Sequence, residues 1–202
     1  MRRTVLCYGD SNTYGYDPRS FFGGRYPADT RWTGLIDATD GWTVLDCGEN
    51  GRAIPRRPQE LQEAEALVRA HPEAAVVTVM LGSNDLLQYP SDTAEHVTAR
   101  MKTLLTHMRA ALAEARGDSA LLLVAPPPMA AGAWVTEERL LTESARLGAC
   151  YRALAAKLSL PFADAAAWDV ALAFDGVHFS EAGHRAFAKG IEPVLSSLAR
   201  GN

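Results

Sequence analysis

Four short stretches of the chain are apolar on near-consecutive positions instead of alternating with polar ones: Thr4–Tyr8, Trp42–Cys47, Ala75–Leu81 and Ala120–Ala125. Their length and their Val and Leu content predict strands buried on both faces, as in a parallel sheet covered by helices. A fifth, weaker strand is predicted at Pro161–Asp164. Between the strands the apolar period lengthens to three and four. Residues 58–71 open on Pro58 and place Leu61, Ala64 and Leu67/Val68 on one face. Residues 92–115 repeat Val97, Met101, Leu104/Leu105, Met108 and Leu112, and residues 136–158 carry Leu140, Leu147, Tyr151, Leu154 and Leu158. A last helix, with Ser180 as its N-cap, carries Phe187, Ile191, Val194/Leu195 and Leu198.

Strand followed by helix, repeated to the end, predicts an α/β fold: a three-layer α/β/α sandwich around a central parallel five-stranded sheet. No linker, repeat or low-complexity tract divides the 202 residues, so one domain spanning 1–202 is expected. Only Pro126-Pro127-Pro128 and the alanines after it predict an irregular loop.

Composition changes this picture little. The chain is 48% hydrophobic and 22% charged, ordinary for a globule and unlike a disordered segment. A net charge of −4 argues against a nucleic-acid partner. Cys7, Cys47 and Cys150 form no CxxC pair, and no metal or phosphate-binding signature occurs, so no cofactor and no metal are expected. No apolar run reaches the ~18 residues of a membrane span, and the one after Arg2-Arg3 is too short for a signal-peptide core. A cytoplasmic location is the expectation.

In a parallel sheet ligands bind beyond the carboxyl ends of the strands, so the residues that follow each strand carry the chemistry. After the first comes Gly9-Asp10-Ser11-Asn12, after the second Gly48-Glu49-Asn50-Gly51, after the third Gly82-Ser83-Asn84-Asp85, and after the fifth a loop with Phe174-Asp175-Gly176-Val177-His178. A serine hydroxyl becomes a nucleophile when a neutral histidine takes its proton. Asp175 lies three residues before His178, with Gly176 free to fold the loop so that the carboxylate meets the imidazole. The oxyanion of an acyl-transfer intermediate needs fixed donors. The candidates are the backbone N–H groups of Ser11 and Gly51 and the side-chain amide of Asn84, where a Cβ at Gly51 would crowd the carbonyl.

These blocks resemble, in order and spacing, the four sequence blocks of the SGNH (GDSL-type) hydrolases. Val5-Leu6-Cys7-Tyr8-Gly9-Asp10-Ser11, Arg31-Trp32-Thr33-Gly34, Met80-Leu81-Gly82 and Ala125-Pro126-Pro127-Pro128 look most similar to the bacterial arylesterase/acyltransferase branch. Asn12 departs from it, standing where that branch usually has an apolar residue. The resemblance implies a flavodoxin-like sandwich, no metal, and hydrolysis of short acetyl or aryl esters through an acyl-enzyme, with acyl transfer to alcohols as a side activity. It implies a small-molecule ester as partner and a homo-oligomer. A carbohydrate O-deacetylase and a lysophospholipase or acyl-thioesterase are alternatives on the same machinery. A flavodoxin-like nucleotide-binding module is the non-enzymatic one, and leaves the Asp175/His178 pair without a role.

Asp10 is expected to hold the Ser11 turn by bonding loop amides, and Asp85 to tie the Asn84 loop likewise. Asp164 and Asp169 are alternative triad acids that do not share the loop of His178. Arg52 is expected at the surface, and His71, His96, His107 and His184 in solvent on helices. Tyr14, Tyr16 and Trp32 either wall the entrance or pack beneath it.

Overall fold

A computed structural model describes residues 2–20, 22–115 and 119–200. Five strands form one sheet: β1 (Arg3–Gly9), β2 (Trp42–Gly48), β3 (Ala74–Met80), β4 (Ala120–Ala125) and β5 (Phe162–Asp164). All neighbours pair in parallel, in the order β2-β1-β3-β4-β5. Every predicted strand is present, and Pro161 stays outside β5, where its missing N–H costs the ladder nothing.

Along each strand successive side chains enter opposite cores. Leu6, Tyr8, Val77, Val79, Leu121 and Leu123 pack into one, beneath α3 (Pro58–Arg69), α5 (Ala94–Glu114) and α6 (Glu138–Leu158). Val5, Cys7, Val76, Met80, Leu122 and Val124 pack into the other, against Trp32 and Ile36 of α2 (Trp32–Asp37) and Phe187, Ile191 and Leu195 of α7 (Glu181–Leu198). Both faces are apolar because both are covered, which is why the sequence shows runs and not alternation. The predicted helices lie where expected. Pro58 takes the first turn of α3, and the Ser180 hydroxyl caps α7 by accepting from the Gly183 N–H. Three short helices and a 3₁₀ turn were not predicted: α1 (Ser11–Tyr14), α2, α4 (Ser83–Gln88) and Ala165–Trp168. Among the described residues no helix is long and apolar enough to cross a membrane.

The order of the sheet positions the site. Chain progression reverses between β1 and β3: β2 lies to one side of β1, and β3, β4 and β5 follow on the other. Loops leaving β1 and β3 part in opposite directions there, opening a crevice at the carboxyl edge. Gly9, Gly48 and Met80 are in register at that edge, so the segments after β1, β2 and β3 emerge side by side.

Candidate active site

Ser11 begins α1 directly after β1. The Asp10 carboxylate accepts the Asn12 N–H at 2.9 Å, and the Asp10 carbonyl accepts those of Thr13 and Tyr14. This cap turns the strand into a tight helical corner that presents the serine at the crevice. Its Oγ lies 3.0 Å from His178 Nε2. On the other side of the ring, His178 Nδ1 lies 2.6 Å from Asp175 Oδ2. The second oxygen, Oδ1, accepts the N–H groups of Val177 at 2.9 Å and His178 at 3.0 Å. Gly176 makes this loop possible: its φ is +81°, and a Cβ there would come within 2.0 Å of the Ala130 carbonyl oxygen.

The loop after β4 is packed against this one. Ala130, Ala133 and Trp134 donate backbone N–H groups to the carbonyls of Gly176, Phe174 and Asp175, at 3.0, 3.1 and 3.0 Å. Trp134 thereby sets its ring edge-on to His178, with centroids 5.0 Å apart, and Tyr16 lies tilted against the imidazole at 4.6 Å. Trp134 escaped sequence reasoning because the segment after β4 looked merely irregular. The rule applied to the other strands, that residues just beyond a strand face the crevice, would have found it. Of the three aromatic residues left undecided, Tyr16 faces the site and Trp32 is core, while Tyr14 lies under the Arg25 guanidinium.

The segments that carry the three expected oxyanion donors are hydrogen-bonded to one another. Asn84 sits in the first turn of α4 and donates through Nδ2 to the Arg52 carbonyl at 3.1 Å. Gln88, one turn later, donates to the Gly51 carbonyl at 2.7 Å. Arg52 donates through Nη1 to the carbonyls of Gly9, at 2.9 Å, and Cys47, and through Nη2 to Glu49. The segments that carry Ser11, Gly51 and Asn84, which follow β1, β2 and β3, are thus tied together through Arg52 and Gln88, while Ser11 itself makes none of these bonds. The Ser11 and Gly51 N–H groups donate to no protein acceptor among the described residues. Gly51 has φ +76°, and an added Cβ would meet only Gln88 Nε2, at 3.9 Å. The backbone conformation therefore requires glycine here, not crowding by protein atoms.

Two sequence expectations are overturned. Arg52 is not a surface arginine: its side chain is 19% exposed and closes the ends of β1 and β2. His184 is not solvated: it is fully buried, and its Nδ1 accepts the Trp32 N–H at 3.3 Å. Burial, aided by the Arg31 charge, pushes its pKa down to about 3, so the ring stays neutral. Asp164 caps the 3₁₀ turn and pairs with Arg152, so it has no part in the His178 loop. Asp85 is completely buried. Its Oδ2 accepts the Ile54 N–H at 2.9 Å and its Oδ1 meets Arg100 at 3.0 Å, tying the segment after Gly51 to α4 and α5. Burial pushes its pKa up against the pull of that N–H and of Arg100 and Arg56.

Burial of Asp175 would raise its pKa, but the His178 side chain and the two backbone donors together hold it below the usual carboxylate range. Asp10 goes the other way. Burial outweighs the Asn12 N–H and the charges of His178 and Arg52 and lifts it to about 6. A raised carboxyl pKa means the folded state binds this proton more tightly than the unfolded chain, so that contribution fades as pH rises through about 6. Asn cannot ionise. Asp10→Asn should therefore gain stability relative to the parent between pH 4 and pH 7, by on the order of 3 kcal/mol. Denaturation midpoints at the two pH values check this, and a pH-independent difference would refute it. Among the described residues no group of three or more His, Cys, Asp and Glu side chains is placed to hold a metal ion.

A hydroxyl on an imidazole on a carboxylate, beside unoccupied N–H groups at the switch point of a parallel sheet, can pass a proton and accept an oxyanion. Fold and site define a carboxylic ester hydrolase. Residues 7–186 match the GDSL-like lipase/acylhydrolase family, and the chain belongs to that family. The SGNH resemblance and the expected α/β fold are borne out. The native aryl esterase of M. smegmatis superposes with a TM-score of 0.84 at 26% identity, covering 97% of this chain and 99% of that one. A carbohydrate acetylesterase from Sinorhizobium meliloti gives 0.84 at 25%, covering 98% and 100%. A second carbohydrate acetylesterase family member from that organism gives 0.83 at 28%, covering 98% and 99%. No curated protein sequence matches the chain significantly.

Proposed function

We propose that this single-domain protein hydrolyses short-chain carboxylic esters, acetyl and aryl esters first, through an acyl-enzyme on Ser11. The observation that carries the reading is the unbroken relay from Ser11 Oγ to His178 Nε2, 3.0 Å, and from His178 Nδ1 to Asp175 Oδ2, 2.6 Å. Ser11 Oγ bonds to the ester carbonyl carbon while its proton passes to Nε2. The carbonyl oxygen becomes an oxyanion facing the N–H groups of Ser11 and Gly51 and the amide of Asn84. Asp175 holds the Nδ1–H and steadies the imidazolium without taking its proton. Collapse breaks the bond to the alcohol oxygen, which leaves with the proton from Nε2. A water molecule then repeats the steps, gives up its proton to His178, and releases the carboxylic acid and free Ser11. An alcohol in place of that water completes an acyl transfer.

Small acyl groups fit a chain whose described connections are too short for a lid domain, and fit neighbours that are an aryl esterase and carbohydrate acetylesterases. A carbohydrate O-deacetylase is the second reading. A cavity of about 720 Å³ adjoins Gly51 and is lined by Glu49, Arg52, Arg57, Glu60, Gln88 and Tyr89 among others, a polar wall suited to a polyhydroxyl alcohol. The test joins a fluorophosphonate label to an ester panel. The label should attach once, at Ser11. Acetyl esters should react faster than octanoyl and longer ones, and an acetylated sugar outpacing an aryl acetate would select the second reading. Labelling at Ser83 or Ser180 defeats the assignment, and rates that climb steadily with chain length favour a lysophospholipase.

A further inference from the structure

Ser11 and His178 reach each other from distant parts of the sheet. Ser11 rides on β1, whereas His178 follows β5 at the far edge, with β3 and β4 between them. No backbone ladder sets their separation. Among the described residues the Ser11 turn and the 173–179 loop share no backbone hydrogen bond. Among the described residues, besides the Ser11–His178 contact itself, the side-chain hydrogen bonds between the two segments come from one residue, Asn12. Its Nδ2 donates to the Val177 carbonyl at 3.1 Å, and its Oδ1 accepts the Phe179 N–H at 2.8 Å. These are the residues on either side of His178. The carboxamide takes the place of a neighbouring strand, satisfying one acceptor and one donor of the backbone that carries the base.

Asn12 is itself held. Its N–H is bound by Asp10, its carbonyl accepts the buried Trp32 indole N–H at 3.0 Å, and its side chain is enclosed. Asn12 also follows Ser11 directly in the chain, so any shift of the carboxamide relative to Val177 and Phe179 is a shift of Ser11 Oγ relative to His178 Nε2. We propose that Asn12, the polar departure from the arylesterase-like pattern, is a positioning residue that sets the Ser11–His178 geometry by pairing with the backbone on both sides of the base. This rests on the triad assigned above. Leucine at the same site would fill similar volume and make neither bond. Aspartate would keep the acceptor for Phe179 and set a carboxylate oxygen against the Val177 carbonyl. Geometry errors of this kind, of about 1 Å, cost up to ~10²-fold in rate.

The experiment is kinetic, with active sites counted by fluorophosphonate titration and all rates taken well below the melting transition. Asn12→Leu should titrate fully but turn over an aryl acetate about 10- to 100-fold more slowly per titrated site, with KM within about twofold of the parent. Asn12→Asp, which keeps the Phe179 acceptor while replacing the Nδ2 donor by a repelling oxygen and serves if the Leu variant does not fold, should fall in the same direction. The Leu substitution is then repeated on His178→Ala, assayed at high enzyme concentration. Acting through the base, it should add less than about threefold there. A kcat per site equal to the parent's, a rise in KM alone, or an undiminished penalty on His178→Ala would overturn the proposal. If His178→Ala keeps near-parent activity, the triad fails, a result separate from any outcome at Asn12.

Discussion

Ser11→Ala should fold normally and lose turnover by on the order of 10⁴- to 10⁶-fold, with His178→Ala close behind and Asp175→Asn smaller, near ~10⁴. The three losses should not add, because each removes the same proton path. The ranking follows from the contacts. In the proposed mechanism Ser11 Oγ makes the bond and His178 Nε2 takes the proton, while Asp175 acts on the reaction only through Nδ1. The acid also has a structural task that the other two lack. Its Oδ1 accepts two buried N–H groups, so Asp175→Ala strands both donors at about 1–3 kcal/mol each and should lower the melting temperature clearly. Asp175→Asn is therefore the kinetic probe and Asp175→Ala the stability probe. The depressed pKa of Asp175 gives the sign of the acid limb. Its stabilisation is complete above its unfolded value, about 3.9, and is lost as pH falls through the lower folded value. The assignment fails if His178→Ala retains near-parent activity and His184→Ala does not. His184 sits in the core against Tyr26 and Phe179, where it can take no proton from Ser11.

The strands and long helices were legible because burial on two faces and on one stripe leaves different periods in the sequence. The short helices α1, α2 and α4 were not, since four to six residues hold no period to detect. What was legible there was the glycine, aspartate and serine chemistry of a sharp corner. His184 shows a signal present but unused. It lies three and seven residues before Phe187 and Ile191, on the stripe that predicted the buried face of α7. Treating histidine as polar moved it to solvent. Arg52 left no such trace. Its partners are main-chain carbonyls at Gly9 and Cys47, and carbonyls are identical at every position in a sequence. The same limit applies to Asn12, whose partners are the backbone of Val177 and Phe179. Asp10 and Asp85 were legible as loop ties because they sit in the same short blocks as Ser11 and Asn84, whereas Arg52 and Asn12 hold backbone that lies far away in the sequence.

Asn84 separates an oxyanion donor from a loop clamp, and the structure lets both roles be weighed. One Nδ2 hydrogen points to the Arg52 carbonyl at 3.1 Å, and an amide nitrogen carries a second. Removing the side chain should therefore cost two different things. The loss of the Arg52 contact should reduce stability by about 1 kcal/mol, the usual net worth of one such bond. The loss of the second N–H should remove an interaction made chiefly with the developing oxyanion, lowering kcat by on the order of 10²–10³ and leaving KM nearly unchanged. Asn84→Ala should thus be a folded, slow enzyme that still reacts with a fluorophosphonate, only more slowly. Asn84→Asp should be as slow or slower. An ionised carboxylate has no donor, faces the Arg52 carbonyl with like partial charge, and repels the oxyanion. If Asn84→Ala raises KM alone, the amide binds ground-state substrate and the oxyanion assignment is wrong. If it unfolds the protein, the bond to Arg52 was the residue's main task. A melting temperature close to the parent's beside a collapsed kcat is the expected result. It would place the transition-state donor on the first turn of α4, opposite the serine across the switch point of the sheet.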